Sequence, residues 1–461
     1  MQLAPTVAWY RLRYGWLLNH TGDAQGAILH LEEAVRLSRT SRNSGLEGAA
    51  LGSLGATYIG LGQYPKANEY LEQALEIHRK MGDVHSESVE LGGLGNAYAL
   101  LGQYAKAIEF HEQALAISRK IGDMRGEGSD LANLGSAYNG LGEYTKAIEY
   151  YEQGLAIHHK TGNVRSEASA LGGLGSVYAN LGQYAKAIEY YEQGLALRRK
   201  IRDVRGEGTA LGNLGMVYGE IGRYTQAIEF LEQALTIHRK VGDVRAEGTA
   251  LGNLGTAYGE LGRYTKAIEY YELALTIHRQ IRNVGSEGIM LGNLGSAYTR
   301  LGQYAKAIEF HEQALAISRK IEDMRSEGNA LANLGSYYGD LEQYTKALEF
   351  LEQALAIHRK IGDGQGEGSA LRNLGSIYDS LGQYAKALEF LEQALAIHRK
   401  IGDVRGEGNA LGDLGSTYAD LGQYAKALEF LKASEVIFED RLRITFPSKA
   451  RLERLEKEHR N

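Results

Sequence analysis

The chain has 461 residues, with 51 Lys or Arg against 57 Asp or Glu for a formal charge of −6, 59 glycines, 3 prolines and no cysteine. The length can bury a large core, the mild acidity excludes a generally basic nucleic-acid-binding surface, and zero cysteine excludes disulfides, thiolate zinc sites, iron–sulfur ligation and cysteine nucleophiles. No apolar run approaches the ~20 residues of a membrane helix, and Arg11 and Arg13 interrupt the apolar stretch Met1 to Leu18, which is no convincing signal peptide. The expectation is a cytoplasmic protein that meets neither membrane nor nucleic acid.

Residues 1–50 read as a degenerate first copy of a repeating unit. Gly15, Gly22, Ala27, Leu31 and Ala34 anticipate Gly55, Gly62, Ala67, Leu71 and Ala74. From 51 to 430 ten copies follow with a period of 40 and no slip: Leu54 to Leu414, Gly55 to Gly415, Tyr58 to Tyr418, Tyr64 to Tyr424 and Ala67 to Ala427 are each kept. The string Leu101 to Ile121 recurs letter for letter at Leu301 to Ile321. Residues 431–461 hold the end of the last unit and a cap.

Each unit reads as two helices, as the copy Asp83 to Ile121 illustrates. The Asp83 carboxylate can accept orphan N–H groups of the following turn, and its equivalents, Asn43 to Asp403, are all Asp or Asn. Glu87 sits where the helix dipole favours negative charge. Leu91, Leu94, Ala97 and Tyr98 follow at helical spacing, and Gly102 closes the helix as its C′ residue. Tyr104 to Ile121 forms the second helix, with Ala107, Ile108, Ala114, Leu115 and Ile117 apolar, Arg119 and Lys120 at its cation-favouring end, and Gly122 breaking it. Loops of about two to four residues force antiparallel neighbours. Gly92 and Gly95 fall mid-helix at a cost of about 1 kcal/mol each against Ala. Each buried Leu or Ile returns about 1.5–3 kcal/mol, so packing wins only when units stack, and an isolated unit is not helical in water. The glycines are expected to permit close helix–helix approach.

After Phe430 the repeat decays into Leu431 to Asp440, and Pro447-Ser448 opens a charged amphipathic helix carrying Leu452 and Leu455. A polar-faced terminal helix is what a stack of repeats needs to stay soluble. The start has no comparable cap, which leaves open a longer parent protein.

Leu54, Gly55, Tyr58, Gly62, Tyr64, Ala67, Leu71 and Ala74 together resemble the tetratricopeptide repeat signature. Leu51 stands where that family often has Trp, the late proline is absent, and the unit is 40 residues rather than 34. The longer form is similar to the repeats of Pins/LGN-type polarity scaffolds and of long bacterial arrays, some attached to signalling ATPases. Over about residues 11–430 the resemblance implies an all-α, right-handed superhelix (an α-solenoid) of about eleven helix-turn-helix units, with first helices on the concave face and second helices on the convex face. Gly154, Gly194 and Ser434 replace the second-helix Ala and Glu342 the inter-helix Gly, departures expected to loosen packing locally.

The resemblance further implies that ligands lie in the concave groove. Its stripe is mostly small, with Gly92, Gly172, Gly212, Gly252, Gly292 and Ser136, Ser176, Ser296, Ser336, Ser376. Beside it runs a row of asparagines, Asn133, Asn213, Asn253, Asn293, Asn333 and Asn373, with Asp413 at the last step. Amides offer donors and an acceptor, so the row suits the backbone of an extended peptide; the alternative is that duplication copied these residues and they satisfy neighbouring turns. Glu220, Glu260, Asp340 and Asp420, with Arg300 and Asp379 among them, favour a basic or polar partner, unless they form only a solvated rim. Trp9, Arg13, Trp16 and His20 share one helical face. They read either as interface anchors, as part of a capping unit, or as contacts to something N-terminal.

The recurring His78, His158, His238, His278, His358 and His398 are assigned to packing. Zinc needs three or four ligands near 2 Å, whereas equivalent positions on successive units stand about 10 Å apart. No phosphate-binding G-x-x-x-x-G-K-[ST] loop and no G-x-S-x-G elbow occurs, and near-identical copies supply no singular catalytic pair. The expectation is a non-enzymatic scaffold without catalytic residues, metal or cofactor, holding an extended segment of a protein or peptide partner. Two other readings stand beside it: a sensor or regulatory arm of a signalling ATPase or protease, and self-association through the first unit.

Overall fold

Local hydrogen bonding sets where each helix begins and ends, in a computed structural model that describes residues 3–441 and 448–459. Asn43 Oδ1 and Asp83 Oδ1 accept from the backbone N–H of Leu46 and Ser86, both at 3.1 Å, and the same cap recurs to Asp403. At the helix exits Gly102 takes φ 73°, its N–H bonds Ala99 O at 3.0 Å, and Gln103 N–H bonds Tyr98 O at 2.9 Å. This is the reverse-turn closure that a left-handed C′ residue allows. Glu342 adopts the same left-handed geometry at φ 58° without being glycine, so there the missing Gly costs backbone strain and leaves the turn in place.

Among the described residues every element is helical. The chain divides into two compact units, Met1–Gly242 and Asp243–Asn461. The first contains six helix pairs: Leu3–Thr21 with Ala24–Thr40, Ser44–Gly60 with Tyr64–Met81, Val84–Leu100 with Tyr104–Ile121, Met124–Leu141 with Tyr144–Lys160, Val164–Asn180 with Tyr184–Lys200, and Val204–Glu220 with Tyr224–Val241. The second contains five: Val244–Glu260 with Tyr264–Gln280, Val284–Arg300 with Tyr304–Lys320, Met324–Asp340 with Tyr344–Ile361, Gly364–Ser380 with Tyr384–Ile401, and Val404–Asp420 with Tyr424–Val436. A π-helical turn, Ile437–Arg441, and a terminal helix, Lys449–His459, complete it. Leu452 and Leu455 bury themselves against Tyr418, Leu431 and Phe438; Pro447 lies outside the described residues. Within each unit the pairs stack as an α-solenoid. First helices of successive pairs touch each other as well as their partners, so they form the inner layer.

The core runs through Leu54, Leu94, Leu134 and their equivalents, which have no solvent exposure in most copies. Glycine makes this packing possible at one mid-helix position. A Cβ on Gly55 would lie 2.5 Å from Leu71 Cγ, and one on Gly95 2.6 Å from the His111 ring. Gly92 does not behave alike, since its only neighbour is Asp130 Oδ1 at 3.9 Å. The Ala replacements also differ from expectation. A Cβ on Gly154 would meet Gly128 O at 3.0 Å, and Ser434 Oγ donates to Gly408 O at 2.7 Å, so both sites bring backbone close instead of loosening it. The recurring histidines are inter-helix packing residues. His78, His158, His278, His358 and His398 are each at most 3% exposed, and His78 and His158 pack onto Gly48 and Gly128, where a Cβ would come within 2.8 Å.

Two surface patterns recur that the sequence pattern did not announce. Arg79 Nε donates to Glu87 Oε1 at 2.8 Å, tying the end of one pair to the start of the next, and Arg39–Glu47 and Arg119–Glu127 repeat it. Tyr58 stacks on Tyr70 at 5.3 Å with Lys66 Nζ 4.4 Å from the Tyr58 ring centre, and the ring stack recurs to Tyr418–Phe430. Ion pairs whose Arg is half exposed contribute little each.

The two classes of glycine predict opposite responses to the same substitution. Gly172 has nothing within 4 Å of a Cβ, while Gly215 has Leu231 Cγ at 2.6 Å and Ala227 O at 3.2 Å. Gly172→Ala should stabilise the chain by about 0.5–1 kcal/mol, and Gly215→Ala should destabilise it by about 1–3 kcal/mol. Denaturant unfolding of both variants followed by circular dichroism checks the signs.

Candidate functional site

The inner layer of the second unit carries Asn253, Asn293, Asn333 and Asn373, each half-buried and one residue before the buried Leu of the Leu-Gly pair. That Leu anchors each side chain's origin, while helical bonding already consumes the local backbone groups. Among the described residues no hydrogen bond ties these amides, or those of Asn133 and Asn213 in the first unit, to a protein partner. A cavity of about 220 Å³ brings Asn293 and Asn333 together with Gly292, Ser296 and Asn329. A second, of about 290 Å³, joins Asn293 to Glu260, Arg300, Tyr264 and Tyr271.

The acidic residues divide. Glu220 in the first unit and Glu260, Asp340 and Asp420 in the second are exposed at the ends of their helices. Asp420, however, is held by Arg451 of the terminal helix at 2.6 Å, and Asp413 lies 3.6 Å from Arg372. Desolvation raises the carboxyls of Asp340 and Asp379, and pushes Asp413 up to about 6 against the pull of Arg372. The second unit therefore presents less free negative charge than a count of its acids suggests.

In the first helix Trp9, Arg13 and Trp16 come together as their spacing implied. The Arg13 guanidinium is 6.0 Å from the Trp9 ring centre and 5.5 Å from that of Trp16, and the Trp16 and His20 rings meet at a tilt of 32° with centres 3.8 Å apart. Both indoles stay close to half exposed, at 46% and 44%.

Two further residues escaped the sequence reading. Glu90 and Asp130 occupy a position where Ala50, Ala170, Ala210, Ala250, Ala330, Ala370 and Ala410 stand in other units and Met290 in one. Both are buried. Desolvation pushes the Glu90 carboxyl up to about 8, and that of Asp130 to about 6 although Ser118 Oγ donates to it at 2.8 Å. Each borders a cavity of about 410 Å³: Glu90 with Trp16, His20, His78 and His85, and Asp130 with His85, Ser118 and Asp123. The available signal was departure from the repeat, a carboxylate where the other copies are apolar.

Comparison with known proteins bears on the fold. The family described as tetratricopeptide repeat matches residues 5–80, 86–160, 129–200, 166–240, 206–280, 245–320, 286–360, 326–400 and 366–440. No curated protein matches the chain. Among solved structures, a Rap protein complexed with competence and sporulation factor is 16% identical with a TM-score of 0.54, covering 77% of this chain and 99% of its own. The apo form of RapI is 17% identical with a TM-score of 0.51, covering 60% and 99%. Aspartyl phosphate phosphatase F from Bacillus subtilis is 14% identical with a TM-score of 0.51, covering 76% and 93%. At these identities the likeness is one of fold.

A buried imidazole gives this region a pH signature. His111 is 1% exposed and burial lowers it from 6.5 to about 4. Between those values the unfolded chain binds a proton that the folded chain refuses, so stability falls as pH drops from about 6.5 toward 4 and is complete above that window. His111→Leu, the residue at Leu71, Leu231 and Leu351, should lose about 1–3 kcal/mol less than the parent over this range. Denaturant titrations at pH 7 and pH 4.5 give the comparison.

Proposed function

The chain belongs to the tetratricopeptide repeat family, and from that premise we propose that it is a non-enzymatic protein–protein interaction scaffold whose inner helix layer holds an extended segment of a partner. The observation that carries this reading is the row of asparagines with uncommitted amides beside a cavity that Asn293 and Asn333 share. Each amide can both donate to a backbone carbonyl and accept from a backbone N–H, which holds a strand of chain while asking little of its side chains. The exposed carboxylates Glu220 and Asp340 favour basic or polar residues in that segment, and Asp420 contributes less because Arg451 engages it. The same surface would serve if the chain were the sensing arm of a signalling ATPase or protease. No helix among the described residues is long and apolar enough to cross a membrane, and a cytoplasmic location is part of the proposal.

A second reading has its own observation. The first helix exposes Trp9, Tyr10, Tyr14, Trp16 and Leu17, large apolar side chains that a second copy could cover. Light scattering across a concentration series checks it, with a monomer throughout excluding self-association.

The main reading is tested with extended peptides of equal length and graded charge. Lys/Arg-containing peptides should bind more tightly than Asp/Glu-containing ones. Changing Asn253, Asn293 and Asn333 together to Ala should weaken binding tenfold or more, the sum of about three ordinary hydrogen bonds, with the thermal midpoint unchanged. Preference for the acidic peptides, or full affinity in the triple variant, would overturn it.

A further inference from the structure

We propose that the cavity beneath Trp16 in the first unit is a binding site for an alkylammonium group, held between the Glu90 carboxylate and the His78 ring. The inference stands apart from the asparagine row and does not depend on it.

Two buried ionisable side chains border this cavity. Glu90 and His78 side chains are 8% and 3% exposed, with Glu90 Oε1 3.8 Å from His78 Nε2, too far for a hydrogen bond. Neither nitrogen of His78 has a hydrogen-bond partner. The Glu90 carboxyl is raised by desolvation alone, with no hydrogen bond or cation lowering it, so near neutral pH it carries a proton that an incoming ammonium releases to solvent as the carboxylate forms. Buried polar groups are normally satisfied, so a buried ring with neither nitrogen hydrogen-bonded, beside a desolvated carboxyl and open space, indicates a ligand's place. Glycine lets both groups pack in this close. A Cβ on Gly52 would lie 2.2 Å from Glu90 Oε1, and one on Gly48 2.8 Å from His78 Nε2.

The geometry selects the ligand. A single nitrogen about 2.8 Å from each of two acceptors fits a separation of 3.8 Å. Burial holds His78 below its ordinary range and therefore neutral; in the tautomer that carries its proton on Nδ1, the nitrogen on the side of Asp83, Nε2 is the second acceptor. An ammonium is a compact point donor that can bridge an oxygen and a ring nitrogen, whereas a guanidinium fork matches the two oxygens of one carboxylate. No Lys or Arg lines the cavity to supply that charge from within. Among the described residues no three His, Asp or Glu converge as a metal would need. Leu31, Ile59, Leu71 and Val89 offer apolar walls to an aliphatic stem, and Trp16 stands among the lining residues with His20 and His85. The chemistry is that of a lysine side chain or a free aliphatic amine.

The test is calorimetric titration of the full chain with Nα-acetyl-lysine methylamide, with cadaverine, and with Nα-acetyl-norleucine methylamide as the neutral match. Tryptophan fluorescence runs in parallel, since Trp9 and Trp16 are the only tryptophans. One saturable site for an ammonium probe, with a change in emission and no binding of the norleucine compound, is expected. Tighter binding of the lysine derivative assigns the site to a partner's side chain, and tighter cadaverine to a free amine. Glu90→Gln keeps the shape and should weaken binding at least tenfold. Glu90→Ala restores the residue that seven other units carry and should do the same in a chain whose circular dichroism is unchanged. Absence of binding by both ammonium probes, equal binding of the norleucine compound, full affinity in either Glu90 variant, or displacement of the amine by zinc would each overturn the proposal.

Discussion

The stack rests on glycine meeting a large side chain across each helix pair. Gly55 against Leu71, Gly215 against Leu231 and Gly255 against Tyr271 leave less than 3 Å for a Cβ, so the two helices approach to a distance that only glycine allows. That closeness buries the Leu-Gly leucine completely and outweighs the poor helix propensity of glycine. A pair has this contact only on one side. Its remaining apolar face is covered by the next pair, which is why stability in such arrays is a sum of units and neighbour interfaces.

Most of this was legible in the chain because it is local. Caps at Asp83 and Asn43, the left-handed exit at Gly102 and the helix Tyr104–Ile121 involve residues within a few positions of each other, and the period supplied the stacking. What was not legible depends on contacts across pairs. Gly92 and Gly95 are both mid-helix, yet only Gly95 faces the partner helix, a distinction set by helix rotation in the assembled stack. Asp420 looked like a free groove carboxylate, but Arg451, 31 residues later and on the terminal helix, reaches it. The unspent amides of Asn293 and Asn333 likewise emerge only once their surroundings are known.

Repetition also hid the chemistry. Where ten copies agree, agreement reflects duplication as much as selection, and it carries packing information. The copies that disagree are where individual chemistry sits. Glu90 and Asp130 break an alanine position in consecutive pairs, and Arg372 breaks a glycine position and pairs with Asp413. Reading departures instead of consensus would have found both carboxylates, though not that they are desolvated, because burial at this position follows from the neighbouring first helix.

A desolvated carboxyl is a costly thing to keep, and the architecture explains how it is tolerated. In a single-core protein a desolvated Glu90–His78 pair would tax the one cooperative unit. Here the cost falls on the pairs Ser44–Gly60 with Tyr64–Met81 and Val84–Leu100 with Tyr104–Ile121, while Leu51, Leu54, Leu91 and Leu94 around it remain fully packed. The other pairs lend stability through their shared interfaces. A stack of repeats can thus hold a polar, desolvated pocket in one place without the rest of the fold yielding, and that freedom is what allows one near-identical unit to carry a buried Glu90–His78 pair that the others lack.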